Sequence, residues 1–247
     1  MKASLAALAA LVIAASLPCA AAEIKVLSAG AIEPGLAAFA KLVKQDTGHD
    51  LRIEYNTTPR ITQRLAAGEK FDLLIAPPAV IDQAAKDGKV VGETRAPIGR
   101  VGAGVVMRRD ATAPDVASVD ALKQALLAAD SVVYNTASTG LYLEKLFERM
   151  GLADALKAKT TRYPDGAAVI EHVIRGKGNE IGFGAITEIR LYEPKGARLV
   201  GPLPAEVQNY TSYAGAVMAG AAAGSDAALK LAATPAGKAA FASGGVD

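Results

Sequence analysis

Arg60 and the two hydroxyls before it, Thr57 and Thr58, are a natural starting point for chemistry in this chain. A guanidinium is a permanent cation, and its planar fork matches a carboxylate or a phosphate. The order Thr58-Pro59 predicts a helix start, with Thr58 as the cap and proline at the first helical position. Arg60 then falls in the first turn, where the helix macrodipole disfavours a cation. A cost of that kind points to a use, such as holding an anion at the same helix end. The competing reading is an ordinary surface arginine. Arg64 follows one turn later on the same face.

Asn135-Thr136-Ala137-Ser138-Thr139-Gly140 is the second such group. The β-branched and aromatic run Val132-Val133-Tyr134 precedes it. Leu143, Leu146, Phe147 and Met150 follow at helical spacing. The stretch reads as strand, loop, helix, with Ser138 or Thr139 as the cap. A helix start offers a fan of N–H donors and the positive end of a dipole, which suits an anion. A well-capped junction without a ligand would look the same. Similar junctions recur, however. Glu23–Ser28 is a strand, Ala29-Gly30-Ala31 a small-residue loop that lets backbone N–H groups approach a ligand, and Pro34 begins a helix. Pro164-Asp165-Gly166 turns into a helix carrying Val169, Ile170 and Val173. Asp165 could accept from a ligand hydroxyl or serve only as a turn former. Tyr163, Asp165, Gly166 and Ala185 are therefore second-tier candidates beside Ala29, Gly30, Ala31, Thr57, Thr58, Arg60, Asn135, Ser138, Thr139 and Gly140.

These groups need a frame. Asp50–Tyr55 alternates as a strand, and Phe71–Ala76 is a short apolar run of the kind found in buried parallel strands. A short helix over Ala79–Asp87 follows. The order β-α-β-α-β-α predicts a parallel sheet with ligands at the carboxyl ends of its strands. Gly99–Met107 and Gln208–Met218 read as strands crossing between two lobes. The alanine-rich tail from Ala221 to Ala242 reads as helix broken at Thr234-Pro235.

Several classes are excluded. The net charge is +2 with both signs interspersed, so a nucleic-acid stripe is not expected. Met1–Ala22 has the charged start, short apolar run and Ala-x-Ala site of a signal peptide. Pro18 before Cys19 does not suit a lipoprotein box, so ordinary cleavage before Glu23 and a periplasmic protein without a thiol are expected. His49 and His172 have no metal-site spacing, and both read as solvated. Gly99-x-x-Gly-x-Gly104 runs on as strand, which argues against a dinucleotide loop. Asp72, Glu171 and Glu180 stand isolated. Neither an enzyme nor a cofactor is expected.

The motifs Val26–Ile32 (Val-Leu-Ser-Ala-Gly-Ala-Ile), Arg64–Ala76, Gly140-Leu-Tyr142, Gly182-Phe183 and a late strand with Tyr213 together resemble the periplasmic molybdate-binding type of solute-binding protein. The resemblance covers nearly all of the chain after residue 22. It implies the class II periplasmic binding protein fold: α/β, two lobes, each a mostly parallel sheet flanked by helices, joined by two crossing strands. Lobe 1 would hold 23–100 plus 215–247 and lobe 2 residues 101–214, with hinge strands near 99–107 and 208–218. It also implies a monomer with an anion in the inter-lobe cleft, bound without metal and delivered to the permease of an ABC importer. The chain departs from the family where ligand contacts are expected. Ala31 replaces a serine, Arg60 enters a Ser-Gly-Ser turn, Ala185 stands for a tyrosine, and Ser138-Thr139-Gly140 replaces Pro-Ala-Gly. Neutral donors are lost and a guanidinium is gained. The expected ligand is a small anion, a molybdate-like or other oxyanion or, favoured by Arg60, a small organic carboxylate. A ligand sensor that signals to a membrane partner is the alternative role.

Overall fold

The computed structural model describes residues 23–247. The expected signal peptide, with Cys19, lies outside the described residues. The elements in order are β1 (Glu23–Ala29), α1 (Glu33–Thr47), β2 (Asp50–Asn56), α2 (Thr58–Ala66), β3 (Leu73–Ala76), α3 (Pro78–Lys86), β4 (Ala96–Arg108), α4 (Val119–Ala128), β5 (Ser131–Asn135), α5 (Ser138–Arg149), α6 (Ala153–Lys157), β6 (Thr160–Tyr163), α7 (Gly166–Arg175), β7 (Glu180–Ala185), α8 (Ile186–Tyr192), β8 (Ala197–Pro202), β9 (Tyr210–Val217), α9 (Ser225–Leu231) and α10 (Pro235–Ser243).

The strands run in the order β2-β1-β3-β9-β4-β7-β5-β6, with β8 on β4. β1 pairs in parallel with β2 and β3, and β5 with β6 and β7. Each half of the sheet is thus mostly parallel, as the βαβ order requires. The two halves meet at β4 and β9. β4 pairs antiparallel with β9 over Ala96–Gly102, then with β7 over Ala103–Val106 and β8 over Gly104–Arg108. The apolar cores follow this division. One cluster draws on residues 24–101 and 213–246, with Ala185 added. Two more cover the faces of the second half-sheet, one around Leu126 and Phe147 and the other around Val169 and Ile189. Phe39 of α1 stacks on Phe241 of α10 with ring centroids 4.9 Å apart, which ties the C-terminal helix to the first half. No helix among the described residues is long and apolar enough to cross a membrane.

Some local expectations need correction. β3 begins at Leu73, after Asp72. The Asp72 carboxylate accepts from the backbone N–H of Lys25 and of Ala222, both at 2.7 Å, so it serves as a structural tie. Thr57, not Thr58, is the cap of α2, and its side chain makes no capping bond. Ala137 occupies the cap position of α5, again without a side-chain bond, so neither Ser138 nor Thr139 caps that helix. His49 is buried, at 4% exposure, and a Cβ on Gly224 would come within 2.4 Å of its Nε2. The turn before β2 is covered by the loop into α9, so His49 is packed where exposure to solvent was expected. His172 is half-buried, and its Nδ1 lies 2.9 Å from the Tyr163 hydroxyl.

The β5–α5 turn depends on one glycine. A Cβ at Gly140 would lie 1.6 Å from the Asn135 carbonyl oxygen, a backbone atom held by β5. Gly140→Ala should cost roughly 2–4 kcal/mol, read as a lower urea midpoint at unchanged slope.

Candidate functional site

A cavity of about 440 Å³ opens at the carboxyl ends of the strands, between the two half-sheets. Four chain segments that start helices contribute to its wall. The first is Ala29-Gly30-Ala31, where β1 passes through a 3-10 turn into α1. The second is Thr57-Thr58 with Arg60 at the start of α2. The third is Asn135, Ala137, Ser138 and Thr139 between β5 and α5. The fourth is Asp165-Gly166 at the start of α7, and Ala185 joins from the end of β7. Parallel strands feeding helices place every such start at the same sheet edge.

The loop after β5 shows how donors are kept free. Asn135 is buried, and its Oδ1 accepts from the N–H of Ala137 at 3.0 Å and of Gly140 at 3.1 Å. This side chain does the capping that Ser138 and Thr139 do not do. It leaves the N–H groups of Ser138 and Thr139 at the cavity, since the first residues of a helix have no intrahelical acceptor. At α7 the Asp165 carboxylate is the cap, accepting from Ala168 at 2.8 Å. Dipole and free donors together make the α5 start favourable to negative charge, whereas at α7 the Asp165 carboxylate already supplies one.

Two arginines one turn apart have different environments. Arg64 is engaged by Glu54 at 2.8 Å and by Glu69 at 2.5 Å, and it stacks over Phe71 at 4.8 Å. Its role is structural. Arg60 is exposed at the rim of the cavity, and among the described residues its hydrogen bond is to the neutral Gln63, at 2.6 Å, with the Glu69 carboxylate near enough to feel its charge. Breaking one neutral hydrogen bond is a small cost against a charge-assisted pair with an anion.

Two of the residues expected at the site do not line the cavity. The Tyr163 hydroxyl is turned to His172. Gly140 lies beneath the loop, its N–H taken by Asn135. The remaining candidates share the wall with residues that the sequence did not bring forward: Glu33, Tyr55, Asn56, Ala137, Pro164, Ala167, Glu188 and Tyr213.

Glu188 is the most consequential of these. In sequence Glu180–Ile186 reads as one unbroken strand, whereas the strand ends at Ala185 and α8 begins at Ile186. Glu188 is then in the first turn of a helix, on the cavity wall. Burial pushes its carboxyl up to about 7, and the nearby carboxylates of Asp165 and Glu33 add to the rise; a backbone hydrogen bond at Ala185 opposes it. The phenols of Tyr55 and Tyr213, also on the wall, are pushed up by burial as well, with contributions from Glu33 and Glu188 respectively. They stay protonated donors across the physiological range. Among the described residues, no group of three or more histidine, cysteine or acidic side chains is placed to hold a metal.

Residues 24–247 match the family model of the bacterial extracellular solute-binding proteins, and the chain belongs to that family. It is 32% identical over 199 residues to an aconitate isomerase of Pseudomonas sp, covering 78% of this chain and 74% of that one. Among solved structures, the fold is similar to the periplasmic molybdate-binding protein of Azotobacter vinelandii, with a TM-score of 0.74, 15% identity, and 91% and 98% of the two chains covered. It is also similar to the sulfate-binding protein SubI of Mycobacterium tuberculosis H37Rv, with a TM-score of 0.72, 16% identity, and 91% and 86% covered. The resemblance to molybdate-type solute-binding proteins and the α/β architecture of two half-sheets are thus shown.

The raised Glu188 carboxyl has a consequence for stability. Between about pH 4.5 and 7 the folded protein holds a proton that the unfolded chain has released, so this group's contribution falls as pH rises through that window. Glu188→Gln removes the ionisation. It should therefore stabilise the protein at pH 8 relative to its effect at pH 5, by roughly 1–3 kcal/mol, measured by urea unfolding at both pH values.

Proposed function

We propose that this solute-binding protein captures a small organic polycarboxylate in the cleft between its half-sheets and hands it to an ABC importer, with the expected signal peptide placing it in the periplasm. The observation that carries this reading is Arg60. Its guanidinium stands at the rim of the same cavity that the starts of α2, α5 and α7 line, and among the described residues it makes no salt bridge, only a hydrogen bond to the neutral Gln63. A guanidinium grips a carboxylate with two parallel hydrogen bonds, and helix starts on the opposite wall can hold a second carboxylate. A cavity of about 440 Å³ is within the range of small-molecule sites. The identity to an enzyme named for aconitate supports the ligand class.

Binding without chemistry is the first reading. A second is favoured by one pairing of observations: the isomerase relative, and a carboxyl on the cavity wall that titrates near neutrality. Such a group is suited to moving a proton within a bound ligand. Incubation with cis-aconitate in D2O, followed by proton NMR, separates the two. Capture alone leaves the spectrum unchanged. Isomerisation gives the trans isomer with deuterium incorporated.

The ligand class is tested by thermal shift with molybdate, sulfate, phosphate, and mono-, di- and tricarboxylates. A specific ligand at about a hundred times its dissociation constant adds about 2.7 kcal/mol, hence about 5–10 °C in a protein of this size. Di- or tricarboxylates should shift the wild type, and Arg60→Ala should lose most of the shift. A shift by molybdate or sulfate alone overturns the carboxylate assignment.

A further inference from the structure

Glu188 lines the cavity between the two half-sheets. A Cβ added to Gly166, at the start of α7, would lie 2.3 Å from one of its carboxylate oxygens, Oε2. A Cβ added to Gly30, after β1, would lie 3.3 Å from the other, Oε1. The two carboxylate oxygens therefore lie against one glycine from each half, and a side chain at Gly166 would force the carboxyl to move. The adjacent Thr187 is buried, and its hydroxyl donates to the Ala31 carbonyl, which fixes the first turn of α8 against the β1 loop.

The charged and titratable groups facing this carboxyl are Glu33 from α1, Asp165 from the cap of α7, Tyr192 from α8 and Tyr213 from β9. Among the described residues, no lysine or arginine is paired with it. Arg60 shares the cavity but is bonded to Gln63 at the rim. An anionic ligand entering this cleft adds negative charge beside a carboxyl that has no cation of its own. The repulsion is removed if the carboxyl takes up a proton, and it is then converted into a short O–H···O⁻ hydrogen bond.

We propose that Glu188 takes a proton from solvent when the ligand binds and donates it in a hydrogen bond to a ligand carboxylate, so that the cleft captures its anion together with one proton. This inference rests on the polycarboxylate reading of the cleft. The balance is simple: the Glu188 carboxylate and a solvent proton become the neutral acid, and no bond of the ligand changes.

The test is isothermal titration of residues 23–247 with tricarballylate between about pH 8 and 9, where that ligand is fully ionised. Each pH is run in two buffers of different ionisation enthalpy. The wild type should take up close to one proton per ligand and lose affinity by up to about tenfold per pH unit. Glu188→Gln should take up none and bind equally at both pH values. A wild type that binds tricarballylate with flat affinity and no proton uptake overturns the inference and leaves the carboxylate cleft standing. Uptake that persists in Glu188→Gln overturns it too. A wild type that binds no carboxylate at either pH overturns the polycarboxylate reading, and this inference falls with it.

Discussion

The hydrogen-bond ladder between β4 and β9 holds the rest of the molecule together. β4 spends its first part on β9 and its second on β7 and β8, so one continuous strand belongs to both halves. Where β4 leaves β9, the Gln208 side chain takes over. Its Oε1 accepts from Ala103 N–H at 3.0 Å, and its Nε2 donates to the Ala103 carbonyl at 3.1 Å. A side-chain amide thus continues a backbone ladder at the point where the sheet divides. Buried backbone groups demand partners, and the Gln208 amide shares those of Ala103 with the Asn209 carbonyl and the Leu203 N–H. The relative position of the half-sheets, and so the width of the cleft, is set here.

Given that frame, the character of the cleft follows from chain direction. Each half feeds helices from the carboxyl ends of its parallel strands, and those helix starts meet across the cavity. At α2 and α5 the residue in the cap position consumes none of the free donors with its side chain. Thr57 and Ala137 hold cap positions without making side-chain caps. Asn135 secures its loop from beneath. The cavity is therefore rich in N–H donors, with Arg60 at its rim. It also carries Glu33, Asp165 and Glu188; burial first, then repulsion from Asp165 and Glu33, raises the Glu188 carboxyl to about 7. A cleft holding both a cation and a protonatable acid differs from a ring of neutral donors. A group that titrates near neutral pH also brings a binding cleft close to one that could transfer protons. Membership of a binding-protein family and identity to an isomerase are then compatible, because fold and chemistry are separable.

Much of this was legible in the sequence, because some signals are local. Hydrophobic periodicity and β-branched runs placed the strands and most helices, and the βαβ order fixed the parallel half-sheets. Small-residue loops at strand ends marked Ala29–Ala31, Thr57–Arg60 and Asn135–Thr139, which together line one cavity. The guanidinium of Arg60 was visible as a cation in an unfavourable helix position, a conflict that needs no tertiary information to recognise.

Other features depended on contacts far apart in sequence. Tyr163 was a reasonable cleft residue by position, yet its hydroxyl turns to His172. His49 looked like a turn residue and is buried by a loop from the other end of the chain. Arg64 matched Arg60 in type and face, but Glu54 and Glu69 claim it. Glu188 had no local mark at all. Its state is set by burial and then by Asp165 and Glu33, and its oxygens lie against Gly30 and Gly166, none of them near it in the chain. Sequence by itself determined the elements and the side of the sheet on which they open, because backbone preference and periodicity act over a few residues. Only the tertiary structure decided which charges meet and which are left without a partner, because burial and Coulomb interactions act through space.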